Sequence, residues 1–399
     1  MISVNEAVER IVEAFSPLPS EIVSVADGYG RVLAEDAFAR MNQPPYPVSA
    51  MDGYAVRHAD TAVAGANLNV IGTAPAGRPF SGRVESGHCV RIFTGGVVPD
   101  GADTIVIQEN VESLDGSQVR LRVAAEPGRH IRRAGLDFRL GDILVAAGKR
   151  LSARDLSLIA AGDIPRLRVH RRPHIAIAAT GDELTPPGAK KTKGAIVASS
   201  GYALAAMIEN WGGVASDLGI VPDREESISN LPERASDADL LVTIGGASVG
   251  DHDLIQKALE PHGLQVNFWK IAMRPGKPLL FGRVGILPLL GLPGNPVSSI
   301  VCALLFLKPA IQAMLGEKCQ PNRHYAHITS PLDANDGRHD FLRAELHYQG
   351  DEEFVTPMPV QDSSMLLNLA RADVLILRPP HAPAAPVGSM VEVLSLSDI

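Results

Sequence analysis

The amino-acid sequence predicts a multidomain α/β plus β protein. A central doubly wound α/β domain is flanked by a β-rich insert module, an N-terminal α+β segment and a small C-terminal β-barrel. Three observations carry this expectation. Between residues 174 and 316 apolar runs alternate with helical patterns, as in a parallel sheet with crossover helices. Residues 41–130 are rich in Gly, Pro and short β-branched runs with closely spaced turn signals, and residues 320–399 return to short strands broken by prolines. Glycine-rich loops close two of the apolar runs, the position at which doubly wound sheets bind ligands.

The elements follow in order. An amphipathic helix spans residues 1–16 and is closed by Pro17 and Pro19. A strand and turn lead to Arg40, and the β-rich module then carries strands near 68–71, 88–93, 104–108 and 119–123. Residues 141–150 read as a strand and turn, and 152–161 as a helix capped by Ser152, a segment expected to pack back on the N-terminal helix. The basic run 166–174 beside a proline is a solvated domain joint rather than a nucleic-acid patch. In the α/β region, strands are expected at 174–180, 214–221, 240–244, 265–273, 278–281 and 287–290, with helices at 202–211, 225–235, 252–259 and 296–315. The tail supplies strands near 325–328, 340–346, 374–377 and 389–394. The expected domains are therefore 1–40 with 131–170 (α+β, discontinuous), 41–130 (β-rich), 171–318 (α/β) and 319–399 (barrel).

A length of 399 residues exceeds one compact core, while 45% hydrophobic and 21% charged residues are ordinary for globular domains. The net charge of −8 and pI near 5.8 argue against general nucleic-acid binding. No apolar stretch is expected to span a membrane, because the longest is stopped by Lys308 and Pro309. The acidic N-terminal helix lacks a signal-peptide core, and Cys89, Cys302 and Cys319 form no CxxC or even framework, so a reducing, cytoplasmic location is expected. Cys302 lies in an apolar run and reads as core; Cys89 and Cys319 could be exposed thiols without a nucleophile site.

Chemistry concentrates in three segments: Thr243-Ile-Gly-Gly-Ala-Ser-Val-Gly-Asp251, the basic turn Met273-Arg-Pro-Gly-Lys-Pro278, and Gly291-Leu-Pro-Gly-Asn-Pro-Val-Ser-Ser299. Gly245, Gly246, Gly250 and Gly294 let a ligand approach the backbone, and helix N-termini following the loops favour an anion. Arg274 and Lys277 add positive charge on a Pro-Gly turn. Asp182, Glu183, Asp251 and Asp253 supply hard oxygens of the kind that hold Mg²⁺ together with phosphate oxygens. Phosphates, a metal and cations in one cleft are the components of phosphoryl or nucleotidyl chemistry. Taken singly each motif has a plainer reading: Gly245-Gly246 fits a tight βα turn, Asp251 a helix cap, Asn295-Pro296 a cap with proline at the first helical position, and Lys190, Lys191 and Lys193 a solvated loop. Their convergence on one sheet edge favours function.

These residues resemble the molybdopterin molybdenumtransferase family, which includes the E domain of gephyrin, over nearly the whole length. The matching segments are Ser49-Ala-Met-Asp-Gly-Tyr-Ala-Val56, Arg91-Ile-Phe-Thr-Gly-Gly-Val-Val-Pro-Asp-Gly-Ala-Asp103, Gly135-Leu-Asp137, Thr180-Gly-Asp-Glu-Leu184, Gly245-Gly-Ala-Ser-Val-Gly250 with Asp253, Met273-Arg-Pro-Gly-Lys-Pro278, Leu292-Pro-Gly-Asn-Pro-Val-Ser298 and Gly337-Arg-His-Asp-Phe-Leu-Arg343. The resemblance implies a molybdopterin-binding α/β domain and an enzyme of molybdenum cofactor biosynthesis. It would take adenylated molybdopterin and molybdate as substrates, with Mg²⁺, and yield molybdenum cofactor and AMP. It further implies Asp52, Glu183, Asp253, Lys270, Arg274 and Lys277 as catalytic residues, with Glu183 and Asp253 on the metal. Thr94, Asp137, Gly245, Gly246, Ser248, Gly250, Pro293, Gly294, Asn295, Pro296 and Ser298 would bind substrate. A homodimer is implied, its active site shared between the α/β domain of one subunit and the Asp52-bearing module of the other. Implied protein partners are a molybdopterin adenylyltransferase and molybdoenzymes; neither nucleic acid nor membrane is implied.

The chain departs from the family pattern at Ala198-Ser199-Ser200, where Asp-Ser/Thr-Asn is usual, at Arg274, where lysine is common, and at Ala247, where valine is frequent. The first departure removes a carboxylate and an amide, and bears on substrate affinity and on molybdate against tungstate. The alternative function is a noncatalytic molybdopterin-binding carrier or scaffold dimer, against which the retained Asp52, Glu183, Asp253 and Lys277 speak. Another enzyme on the same α/β fold, such as the adenylyltransferase or the competence-damage amidohydrolase group, would lack the 49–56 segment.

Overall fold

The computed structural model describes residues 1–246, 254–317, 322–397 and 399. Ser248, Gly250, Asp251, Asp253, Ala247 and Cys319 lie outside the described residues.

The N-terminal helix, Val4–Glu13, is capped by Ser3, whose Oγ accepts the Glu6 N–H at 3.1 Å. Its apolar stripe of Val4, Ala7 and Ile11 is buried. It does not receive the 152–161 segment as expected. The stripe joins the core of the α/β domain instead, packed on the Lys308–Met314 helix. The remaining N-terminal elements have a core of their own, built on Leu33, Leu151, Ile159, Leu167 and Val169. There Ser20–Ser24 pairs with Arg166–His170, and Ala37–Phe38 with Ile143–Val145, so segments more than a hundred residues apart share a sheet edge. The Ala153–Ala161 helix begins at a reciprocal cap. Ser152 Oγ accepts the Asp155 N–H, and the Asp155 carboxylate accepts the Ser152 N–H at 2.9 Å and Lys149 Nζ at 2.5 Å.

The β-rich module is a six-stranded sheet in the order Thr104–Ile107, Gly53–Val56, His88–Ile92, Asn67–Ala74, Gln118–Leu121, Val111–Ser113. Gly53–Val56 is a strand the sequence does not announce. A Cβ on Gly53 would lie 2.1 Å from the Val106 carbonyl oxygen, so glycine alone lets the neighbouring backbone close. Cys89 is fully buried in this sheet and burial pushes its thiol up to about 12, which removes it as an exposed thiol.

The central sheet runs Val214–Val221, His174–Thr180, Leu240–Ile244, Leu287–Leu292, Leu280–Val284, Leu264–Trp269. Its first four strands are parallel; Leu280–Val284 is antiparallel to both of its neighbours. Alternate residues feed two faces. Ile175, Ile177, Val242 and Leu290 pack against the Ser200–Asn210 helix and the long helix after residue 296, whereas Ala176, Ala178, Leu241 and Leu289 face the helices of residues 225–234 and 254–259. The fold is doubly wound. The chain leaves His174–Thr180 for one side of the sheet and returns to its other side at Leu240–Ile244, so a topological switch point lies between these two strands.

Three expected elements are interrupted for local reasons. The 225–235 helix divides into Glu225–Ser229 and Leu231–Arg234 at Pro232, which lacks the N–H that a continuous helix would need. The 265–273 strand stops at Trp269, because Lys270 has φ of 79°. The helix expected over 296–315 is instead Pro296–Cys302, a π-helical turn Ala303–Leu307 and Lys308–Met314. The wider π turn lets the chain pass through Pro309 without a break. Lys308 and Pro309 therefore do not stop the apolar run. The 19-residue helix Pro296–Met314 is long and apolar enough to cross a membrane, but 83% of its apolar window is buried within the protein.

In the C-terminal domain, His339–Gln349, Glu352–Pro357, Arg323–Ile328, Met390–Ser395 and Val374–Arg378 pair in sequence around a closed ring, the last returning to the first. The short Met273–Arg274 strand of the α/β domain adds in parallel to His339–Gln349. Glu352–Pro357 and the Leu366–Arg371 helix were not expected from the sequence.

Candidate active site

Three loops leave the carboxyl ends of adjacent parallel strands and meet at the switch point. Gly245 has φ of 88°, and a Cβ there would lie 2.8 Å from the Thr180 carbonyl oxygen; Gly246 has φ of 69° and faces Thr180 Oγ1 and Ile255. No other residue type suits both conformation and space. A Cβ on Gly294 would come within 3.5 Å of the Gly245 Cα, so the second and third loops touch. The third loop is held from beneath by the Ser299 hydroxyl, which donates to the Pro293 carbonyl at 2.5 Å and the Asn295 carbonyl at 3.0 Å. Asn295 caps the Pro296–Cys302 helix by position with no side-chain bond, and Pro296 occupies the first turn.

These loops enclose a cavity of about 590 Å³. Glu183, Gly245, Gly246, Pro293, Gly294, Asn295, Pro296 and Ser298 all line it, together with Ala198, Ser199 and Ser200. Two further lining residues with polar side chains were missed by the sequence reading. Asp223 follows the Val214–Val221 strand, so the shared carboxyl edge of the parallel sheet was the available signal. Ser364 comes from the C-terminal domain, where the Val297 N–H donates to the Ser363 carbonyl at 3.1 Å, and no sequence signal pointed to it.

The cavity carries a cluster of negative charge. The Glu183 carboxylate folds back over Gly181, where any Cβ would meet Glu183 Oε2 at 2.6 Å. Asp182 Oδ1 accepts the Asp223 N–H at 3.2 Å. Burial, then the charges of Asp182 and Glu183, push the Asp223 carboxyl above the ordinary aspartate range. Among the described residues no group of three or more His, Cys, Asp or Glu side chains is gathered into an all-protein metal site.

The remaining expected site residues lie elsewhere. The basic turn is tied at its base by Lys270 N–H to the Leu279 carbonyl at 3.2 Å and Ile271 N–H to the Lys277 carbonyl at 3.0 Å. Lys270 Nζ sits 3.8 Å above the Trp269 ring, Lys277 is exposed, and Arg274 is paired with Asp336 and Asp340 of the barrel. A Cβ on Gly276 would lie 2.4 Å from Cys302 Sγ, so the buried Cys302 packs the turn against the long helix. Asp52 and Thr94 are joined to each other in the β-rich module, and Asp137 donates its N–H to the Gln43 carbonyl at 2.9 Å. None of these six residues lines the cavity.

The fold and the cleft define a multidomain α/β protein with its main cavity at the switch point of the central sheet. Residues 2–162 match the family described as "MoeA N-terminal region (domain I and II)", 176–313 the "Probable molybdopterin binding domain", and 325–396 the "MoeA C-terminal region (domain IV)". The chain is 33% identical to molybdopterin molybdenumtransferase of Haemophilus influenzae, covering 98% of both chains, and 33% identical to that of Nostoc sp., covering 94% of this chain and 89% of the relative. A crystal structure of the molybdopterin biosynthesis moeA protein of Pyrococcus horikoshii superposes with a TM-score of 0.85 at 30% identity, over 99% of each chain. The chain belongs to the molybdopterin molybdenumtransferase family and is a transferase.

Proposed function

We propose that this transferase acts in molybdenum cofactor biosynthesis, inserting molybdate into adenylated molybdopterin with Mg²⁺-dependent hydrolysis of the adenylate to give molybdenum cofactor and AMP. The observation that carries the reading is the meeting of Glu183, the Gly245-Gly246 turn and residues 293–298 around one cavity at the switch point. The left-handed Gly245-Gly246 turn and the start of the long helix suit the phosphates of the adenylated pterin. The first α/β strand, Thr180 and Glu183 bring carboxylate chemistry to the same place.

Mg²⁺ fits these residues. Glu183, Asp182 and Asp223 crowd negative charge at the cavity rim; the Asp223 carboxyl is raised first by burial and then by the charges of Asp182 and Glu183, and a divalent cation would relieve the repulsive part. Mg²⁺ typically takes one or two carboxylates and leaves its other positions to water and phosphate, so a larger all-protein site is not required. When bound, it would neutralise charge on the pyrophosphate as the bond to AMP breaks. Glu183 would hold it, with Asp253 as the proposed second carboxylate.

Asp52, Thr94 and Asp137 stand on the β-rich side of the chain and away from the cavity. We assign them to the cavity of a second copy, in a homodimer whose two active sites each draw on both subunits. Two buried free cysteines accord with a reducing, cytoplasmic setting. The substrate's chemistry makes a molybdopterin adenylyltransferase the supplier and molybdoenzymes the recipients.

The test is AMP release from adenylated molybdopterin with and without molybdate and Mg²⁺. Wild type should release AMP only with both, and Glu183→Ala should not. Tight substrate binding without release by wild type would replace this reading with a carrier or scaffold.

A further inference from the structure

Asp52 and Thr94 stand at the ends of two neighbouring strands of the β-rich module: Asp52 precedes Gly53–Val56, and Thr94 lies just beyond His88–Ile92. Arg91 belongs to the second strand, directly opposite Tyr54 of the first. Its guanidinium touches every flank of the pair. Nη1 donates at 2.9 Å to the carbonyl of Gly53, the chain neighbour of Asp52. Cζ lies 4.8 Å from the ring centroid of Phe93, the chain neighbour of Thr94, and 5.1 Å from that of Tyr54. Nη2 donates to Gln108 Oε1 at 2.6 Å, and the Gln108 N–H donates in turn to the Asp52 carbonyl at 3.1 Å.

The bonds between Asp52 and Thr94 fix the carboxylate relative to Thr94, but they do not fix either residue relative to the sheet. Arg91 does that for both. The two oxygens it bonds, the Gly53 carbonyl and Gln108 Oε1, are neutral, so no acid cancels its charge there. That charge adds to the two Thr94 bonds, the main causes of the lowered Asp52 carboxyl. A lysine would bring one point charge on a flexible stem. It could not bond Gly53 and Gln108 through a rigid fork while lying against two rings.

We propose that Arg91 is a positioning residue for the reaction, whose guanidinium fixes the Asp52–Thr94 pair in the geometry it presents to the cavity of a second subunit. The inference rests on the shared-site reading of Asp52. It makes Arg91 the support on which a preorganised carboxylate depends, acting only through that pair.

The experiment uses the full-length protein with Arg91→Met, which keeps an apolar stem, and Arg91→Lys, which keeps the charge. Molybdate- and Mg²⁺-dependent AMP release should fall about 10- to 100-fold in Arg91→Met, the scale for a reacting group displaced by about an ångström. Arg91→Lys should recover little of it. Subunit exchange then shows which half of the site has failed. An equal mixture of Arg91→Met with Glu183→Ala should regain about a quarter of wild-type release, whereas a mixture with Asp52→Asn should regain none. Wild-type release by either Arg91 variant would overturn the inference. So would recovery with Asp52→Asn, which would place the defect in the cavity half, or recovery with neither partner, which would mark a general loss of fold. If thermal unfolding shows Arg91→Met to be unfolded, Arg91→Lys carries the exchange test. Asp52→Asn mixed with Glu183→Ala is the control. Its failure to recover would overturn the shared-site reading instead, and AMP release by the two Arg91 variants would then decide the inference by itself.

Discussion

A single oxygen of Asp52, Oδ1, accepts both the backbone N–H of Thr94 at 2.7 Å and its hydroxyl at 2.9 Å. The N–H bond, then the hydroxyl, hold the Asp52 carboxyl below the ordinary range, so it stands ionised at neutral pH on the exposed end of its sheet. Since this pair and Glu183 sit at separate places on one chain, the proposed dimer makes a sharp expectation. Asp52→Asn and Glu183→Ala proteins should each be inactive. After subunit exchange the mixture should recover about a quarter of wild-type AMP release, from one intact site in half of the dimers. A site confined to one chain would recover nothing.

Gly245→Ala should destabilise the protein by about 1–3 kcal/mol, because it combines a left-handed conformation with a Cβ pressed on the Thr180 carbonyl. Gly294→Ala is the matched control on the touching loop, where the added methyl makes an ordinary contact and the backbone is not left-handed. Denaturant unfolding should separate the two variants, with Gly294→Ala close to wild type.

Asp223 connects pH to stability. Its carboxyl is raised in the fold, so the stability it contributes is fully present below its unfolded pKa and is lost as pH rises through the folded value. Asp223→Asn should therefore gain in Tm over wild type as pH climbs out of the acid range, with the gap levelling off near neutrality. Saturating Mg²⁺ should narrow the gap by stabilising only the charged wild-type cluster. A constant difference across pH, measured by thermal unfolding in buffers of matched ionic strength, would count against this electrostatic account.

The Ser152–Asp155 cap gives the opposite sign. Burial raises the Asp155 carboxyl, but the bonds from Lys149 and Ser152 outweigh it and hold the group at about 2. Its contribution is present above the ordinary aspartate range and fades as pH falls toward about 2. Asp155→Ala should cost about 1–2 kcal/mol at neutral pH in urea unfolding, and progressively less in acid.

Local signals were legible and tertiary ones were not. The strands His174–Thr180, Val214–Val221 and Leu240–Ile244 coincide with their expected bounds, because runs buried on a parallel sheet end at turn residues that read clearly in sequence. Glu352–Pro357 and Val111–Ser113 are short and largely polar, and they exist by pairing with strands whose positions the sequence does not disclose. The N-terminal helix showed its apolar stripe but not the partner for it. At the site, the glycine turns announced themselves through conformation. Ser364, and the carboxylates that grip Arg274, reach their places only through a domain whose strands lie some distance further along the chain.

A ring of strands has no edge to spare, yet this one carries an extra strand, Met273–Arg274, borrowed from the neighbouring domain. The basic turn is consequently a seam stitched into two sheets at once. Cutting the chain at residue 317 would remove the fabric on one side of that seam. A central domain expressed alone could keep its sheet and its glycine loops, but it would lose both the hydrogen-bonded footing of Arg274 and the acids that restrain it. Any attempt to shrink the protein to its central domain must therefore supply another footing for the basic turn.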